Sequence, residues 1–98
     1  METNTAVRAL SALAQETRLS IFRFLVARAP EGAPAGAVAD AVGLPPATLS
    51  FHLKELRDAG WVRCRSQGRS RIYSPVLTRA DELIGFLTEN CCRDAKRL

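Results

Sequence analysis

The hydrophobic period of this chain changes at Gly60, and that change restricts the folds open to it. In PATLSFHLKELRDAG, residues 46–60, Leu49, Leu53 and Leu56 recur at the spacing of one helix face, and Gly60 marks the helix end. Beyond Gly60 apolar and basic residues alternate instead. WVRCRS and RSRIYSPV read as two strands around a turn at Gln67-Gly68, with Trp61, Val62, Ile72 and Tyr73 available for packing.

The remaining segments carry helix signals. Thr3 or Thr5 is expected to cap a first helix bearing Val7, Leu10 and Leu13. AQETRLSIFRFLVARA forms a strongly apolar second helix with Leu19, Phe22, Phe24, Leu25 and Val26. Its Glu16 sits in the first turn, where the helix dipole favours an anion. PEGAPAG reads as a loop, and AVADAV as a short helix stopped by Gly43. Pro45 and Pro46 suit the start of the next helix. TRADELIGFLTENCC closes the chain as a helix expected to be capped by Thr78, with Asp81 and Glu82 in its first turn.

Composition narrows the functional classes. Ninety-eight residues make one domain, residues 1–98, with a modest core that a further interface would enlarge. A hydrophobic content of 47% with mixed charges fits a folded soluble domain. The net charge of +4 hints at a polyanionic partner. No apolar run reaches the roughly 20 residues of a membrane span, so no membrane partner is expected. METNTAVRALSALAQ shows no basic segment followed by an apolar core, so a cytoplasmic location is expected, with the three cysteines kept as thiols.

A short helix, a glycine turn and a second helix make a helix-turn-helix, and the basic hairpin after it makes a wing. The expected fold is therefore mainly α with a β-hairpin wing. On the second helix Leu49, Leu53 and Leu56 point inward, while Ala47, Ser50, Phe51 and Lys54 point away, with Thr48 and Glu55 at the margins. Thr48 and Ser50 offer hydrogen bonds to base edges, and Phe51 can touch a thymine methyl. Arg63, Arg65, Arg69 and Arg71 lie within nine residues around the hairpin tip, placed to meet phosphates, with Arg69 able to reach a minor groove. A plain helical hairpin with a solvated face is the bland alternative, and the arginine wing argues against it. His52, the single histidine, sits on the flank of the leucine stripe and reads as a hydrogen-bonded packing residue or a phosphate contact rather than a metal ligand. No nucleophile–base set, glycine-rich phosphate loop or paired carboxylates point to an enzyme.

These residues resemble the ArsR/SmtB-type repressors. ALAQETRLSIFRFL is similar to their opening, and ADAVGLPPATLSFHLKELRDAGWVRCRSQGRSRIYS to their helix-turn-helix and wing; the resemblance runs over nearly residues 6–92. It implies a winged-helix homodimer that needs no cofactor to bind double-stranded operator DNA and that releases it when a metal or metalloid binds. The family's recognition helix falls on Pro46 to Leu56, with Thr48, Ser50, Phe51 and His52 in its DNA-facing part, and its wing on Val62 to Ser74.

The inducer sites of the family differ, and two are absent here. The stretch matching the family's cysteine-bearing ELCVCDL motif is Gly32 to Val38, without a thiol, and the last helix has no histidine for a zinc site. What remains is Cys91-Cys92, and ENCC resembles the C-terminal cysteine pair of an arsenic-responsive branch. Thiolates select soft ions, and a vicinal pair can chelate As(III) or Sb(III). Adjacent residues on an intact helix diverge by about 100°, so chelation requires the chain to bend between Asn90 and Arg93. No third cysteine follows, so hydroxide, a small thiol or an organic substituent would complete a three-coordinate site. Cys91 alone, in line with Ile84 and Leu87, also reads as a small packing residue, and Cys64 as a strand-packing residue.

The apolar faces of the first helix (Val7, Leu10, Leu13) and the last (Leu83, Ile84, Leu87) exceed what one small core absorbs. Pairing them across a two-fold axis would bury both. Two rivals stand beside metalloid sensing: a thiol-redox repressor using Cys91 and Cys92, disfavoured by the strain of a vicinal disulfide, and a winged-helix protein-interaction module that binds no DNA.

Overall fold

A computed structural model describes residues 1–91. Five helices and a small sheet follow in chain order: α1 (Thr3–Leu13), α2 (Glu16–Val26), β1 (Ala33–Pro34), α3 (Ala35–Val42), α4 (Pro46–Asp58), β2 (Val62–Gln67), β3 (Ser70–Pro75) and α5 (Leu77–Leu87). The sheet is antiparallel in the order β1-β3-β2. The winged helix-turn-helix expected from the sequence is present, with α3 and α4 as the helix pair and β2–β3 as the wing.

The helix-turn-helix ends where its residues dictate. Gly43 follows α3 in the left-handed region at φ +70, and its N–H donates to the Ala39 carbonyl. Pro46 opens α4 at the position where a missing N–H costs nothing. Leu49, Leu53 and Leu56 are buried, as the leucine spacing requires. Gly60, at φ +85, turns the chain out of α4, and an added Cβ there would collide with the Arg79 guanidinium.

Four local expectations are corrected. Thr3 and Thr5 lie inside α1, and Glu2 precedes it without a side-chain cap. Thr78 does not cap α5, which starts at Leu77 behind Val76 and has no acid in its first turn. PEGAPAG is only partly loop: Ala33 and Pro34 form a third strand against Tyr73 and Ile72. The hairpin turn is Gly68-Arg69, since Gln67 pairs with Ser70.

The core has an unexpected face. In α1 the buried residues are Ala6, Ala9 and Ala12, and the larger Val7 and Leu10 are exposed. Small side chains let α1 lie close to the core, where Trp61 reaches it. The buried Trp61 Nε1–H donates to the Ala9 carbonyl at 2.7 Å, and its ring meets Phe22 edge-on at 5.2 Å between centroids. Its main chain links two further elements, N–H to the Leu56 carbonyl and carbonyl to the Val76 N–H.

A second tie holds α4. Arg18, in the first turn of α2, donates through Nε to the Ala12 carbonyl at 2.6 Å, and its Nη1 lies 3.2 Å from His52 Nδ1. Burial, followed by the Arg18 charge, lowers the His52 pKa below its ordinary 6.5, against an opposing pull from Glu55.

Two stability predictions follow from these ties. Trp61→Phe removes the indole donor to the Ala9 carbonyl and part of a fully buried side chain, and should cost about 1–3 kcal/mol in urea unfolding; an unchanged midpoint would show that the indole contact contributes nothing. For His52 the unfolded chain takes up a proton first as pH falls. Its contribution to stability is complete above pH 6.5 and is lost below that value, as the pH passes down through the lowered folded pKa. Thermal melts from pH 8 to 5 should show this slope in the native chain and a shallower one in His52→Asn.

Candidate nucleic-acid interface

The outward face of α4 is built as the leucine stripe predicts. Thr48, Ser50, Phe51 and Lys54 are exposed, and Phe51 has 56% of its surface open, an unusual exposure for a large aromatic on a helix. The ring packs against the His52 imidazole in a T-shaped pair, with 5.5 Å between centroids. His52 itself is half-buried and engaged with Arg18, so of its two expected roles the structure displays the packing one. Lys54 is paired with Asp58 one turn later at 2.8 Å. That hydrogen bond raises the lysine pKa and lowers the aspartate's, so both are charged at neutral pH.

All four wing arginines are exposed, but they do not form one patch. Strand alternation and the register divide them. Arg63 lies opposite Ser74 and Arg65 opposite Ile72, on one face of the hairpin; Arg71 lies opposite Ser66, on the other. Arg69 stands at the tip beside Gly68, whose φ of +63 makes the tight turn. Two of the four have protein partners that the sequence did not reveal. Arg65 Nη1 donates to the Glu31 carbonyl at 3.0 Å, bracing the loop before β1. Arg71 Nε donates to Cys64 Sγ at 3.3 Å, which holds the guanidinium pKa above its usual range.

Cys64 is therefore a partner for Arg71 as well as a strand residue. It lies opposite Tyr73, whose hydroxyl pKa is raised by burial and then by the thiol. Period-two alternation around Arg71 held the signal for this cluster, since residues 64, 71 and 73 share a face.

The expected dimer residues separate into two groups. Val7, Leu10, Ile84 and Leu87 are exposed. Leu13 is half-buried against the core, and Leu83 is 7% exposed and belongs to the core itself. Leu83 is thus removed from the dimer face: one turn of α5 must pack inward to hold the helix on the domain, and Leu83 supplies that contact.

The closing helix is shorter than expected. It ends at Leu87, and Thr88 folds its hydroxyl back to the Ile84 carbonyl at 2.7 Å. The chain turns through Asn90 at φ +67, and Cys91 is exposed beyond the helix, so it is not a buried packing residue in this fold. Cys92 lies outside the described residues. Among the described residues no helix is long and apolar enough to cross a membrane.

Comparison with known proteins places this geometry. Residues 13–65 match the family model described as a helix-turn-helix domain, which spans most of α2 through β2. NolR from Sinorhizobium fredii is 33% identical in sequence, with 90% of this chain and 85% of that one covered at a TM-score of 0.70. The winged helix-turn-helix DNA-binding domain of Mb0332 from Mycobacterium bovis, a homodimer described as "a possible ArsR-family transcriptional regulator", is 27% identical over 89% of this chain and 81% of that one, with a TM-score of 0.71. An ArsR-like transcriptional regulator from Rhodococcus sp. RHA1 shares the fold at a TM-score of 0.81, with 20% identity, 96% of this chain and 86% of that one covered. No curated protein matches the chain. The family match, the NolR identity and the α3–α4–wing geometry together establish that this chain belongs to the helix-turn-helix family and is a transcriptional regulator of the ArsR type, not an enzyme.

Proposed function

We propose that the chain is a homodimeric repressor that grips operator DNA with α4 and the wing and lets go when trivalent arsenic or antimony binds Cys91 and Cys92. The observation that carries the DNA geometry is the exposed polar and aromatic face of α4 beside an exposed arginine wing. In this reading Thr48 and Ser50 approach base edges, Phe51 meets a thymine methyl, Lys54, Arg65 and Arg71 exchange their present partners for phosphates, and Arg63 and Arg69 meet phosphates as well. His52 stays at the flank of the contact.

Dimerisation is supported by Val7, Leu10, Ile84 and Leu87, four large apolar side chains left on the surface of α1 and α5. Each contributes about 1.5–3 kcal/mol when fully buried, so an interface that covers them has a clear driving force. A two-fold dimer would place the two copies of α4 one turn of DNA apart, about 34–36 Å.

The sensing assignment rests on thiol chemistry and on the position of Cys91. A thiolate selects a soft metalloid, and two adjacent thiolates chelate it at high effective concentration once the backbone is not helical. Cys91 stands four residues past the end of α5, after a left-handed residue, so its backbone is already outside the helix. Ile84 and Leu87, on the proposed dimer face, lie within seven residues of it. A metalloid that pulls residues 91 and 92 into one ring would draw on that face and alter the spacing of the two recognition helices. The coupling is reciprocal: bound operator weakens metalloid binding by the same factor.

Two measurements test this. In a gel-shift titration arsenite should release the native chain from DNA and leave Cys91→Ser/Cys92→Ser bound. Release of the double variant at the same arsenite concentration would remove the sensing role. In sedimentation equilibrium Ile84→Glu should shift the dimer to monomer and weaken DNA binding at least tenfold, because one charge must be buried per subunit. A dimer of unchanged strength would place the interface elsewhere.

A further inference from the structure

Arg18 joins three helices with one side chain. From α2 its Nε donates to the Ala12 carbonyl in the last turn of α1, and its Nη1 contacts His52 Nδ1 on α4. The last carbonyls of a helix have no intrahelical donor, and a cation beside them is favoured by the helix dipole. The second bond has only one direction. A guanidinium carries donors and no acceptor, so His52 Nδ1 must accept, which leaves the ring neutral with its proton on Nε2. Gln15 fixes the root of the same arginine by accepting from the Arg18 backbone N–H at 2.8 Å.

We propose that Arg18 is a positioning residue for DNA recognition: it locks the recognition helix to α1 through the neutral His52 ring, so that the α4 face presented to DNA is held in register with the helix proposed to form the dimer. This rests on the α4 interface and the α1 dimer face described above. The lock sits beside an open cleft between α1 and α4, where Arg8 faces from α1 and Glu55 and Asp58 from α4. Protonation of His52 removes the acceptor and sets two cations against each other. With that bond gone, α4 loses the tie to α1 that runs through Arg18.

The lock makes an acceptor at the Nδ1 position essential, whereas a mere space-filling role does not. His52→Asn keeps an acceptor oxygen close to that position and should retain DNA affinity within about twofold. His52→Phe fills the space without an acceptor and should lose about tenfold, on the scale of one hydrogen bond to a charged group. Arg18→Met should lose a similar factor. Arg18→Met/His52→Phe should be no weaker than either single variant, because both remove the same bond. The probe is a 30-base-pair duplex selected from a random pool by the native chain.

The single histidine allows a readout that does not involve DNA. In the ¹⁵N spectrum of the native chain the imidazole should show protonated Nε2 and bare Nδ1 at pH 7.5. Arg18→Met should show mixed tautomers and a higher titration midpoint. An unchanged imidazole spectrum in Arg18→Met overturns the lock. Equal affinities for His52→Asn and His52→Phe, or a double variant weaker by the product of the two losses, overturn it as well. If Arg18→Met does not fold, the two His52 variants decide the question, since both keep the Arg18–Ala12 bond. A native chain that selects no duplex overturns the interface reading and the positioning role with it, while the tautomer spectrum still reports whether the bond forms.

Discussion

The indole of Trp61 is the constraint on which the remaining structure depends. Its residue sits where the recognition helix becomes the wing, and four other elements converge on it: α1 through the Ala9 carbonyl, α2 through Phe22, α4 through Leu56, and the entry to α5 through Val76. A domain of this size has little apolar area to spend. One large side chain that fills the junction and satisfies a buried carbonyl fixes the relative placement of helix and wing more economically than several small contacts. That placement matters for the proposed function, because a helix reading a groove and a hairpin gripping phosphates would work together only at one mutual angle.

The helix-turn-helix and wing were legible because their signals are local. Leu49, Leu53 and Leu56, the left-handed Gly43 and Gly60, and the alternation after Trp61 each determine their own neighbourhood. Three features were not legible, for physical reasons. The inward face of α1 is alanine, and alanine is a weak periodic signal; the larger Val7 and Leu10 drew the eye to the outward face. The strand at Ala33–Pro34 exists only because β3 offers it an edge, and two residues carry no pattern. The early end of α5 at Leu87 follows from the turn through Asn90, a residue able to adopt the left-handed backbone but not obliged to. Leu83 illustrates the same limit within the candidate site. Its spacing with Ile84 and Leu87 marks an apolar face, but only the folded chain divides that face into a core side and an open side.

The cations of the candidate interface are partly occupied. Lys54 faces Asp58, Arg65 holds the Glu31 carbonyl, and Arg71 holds Cys64. These contacts are exposed, and an exposed ion pair or hydrogen bond contributes little because water competes for both partners. Phosphates can displace such partners at little cost, so their present role is to keep long side chains ordered near the surface that DNA would meet. In the proposed contact Arg69, at the tip, would reach for a groove, and the division of Arg63 and Arg65 from Arg71 across the hairpin would let one wing touch a backbone on either side of its tip.

The arrangement of the proposed sensor follows from the same economy. A chelating pair inside a helix would have to break backbone hydrogen bonds before the second sulfur could bind. With α5 finished at Leu87, and Cys91 in a turn, the cost of bringing two neighbouring sulfurs onto one ion is largely removed on the side that the structure describes. The remaining cost is spent on whatever the tail must give up when it closes. If the exposed Ile84 and Leu87 are packed against a second subunit, that cost falls on the dimer face, and binding energy is converted into a change of helix spacing. If they are not, a metalloid could bind just as tightly and leave the DNA affinity untouched, since a ligand shifts only those equilibria whose two states it distinguishes. The proposed sensing would therefore depend less on how strongly the thiols bind than on what the last turn of α5 is holding when they do.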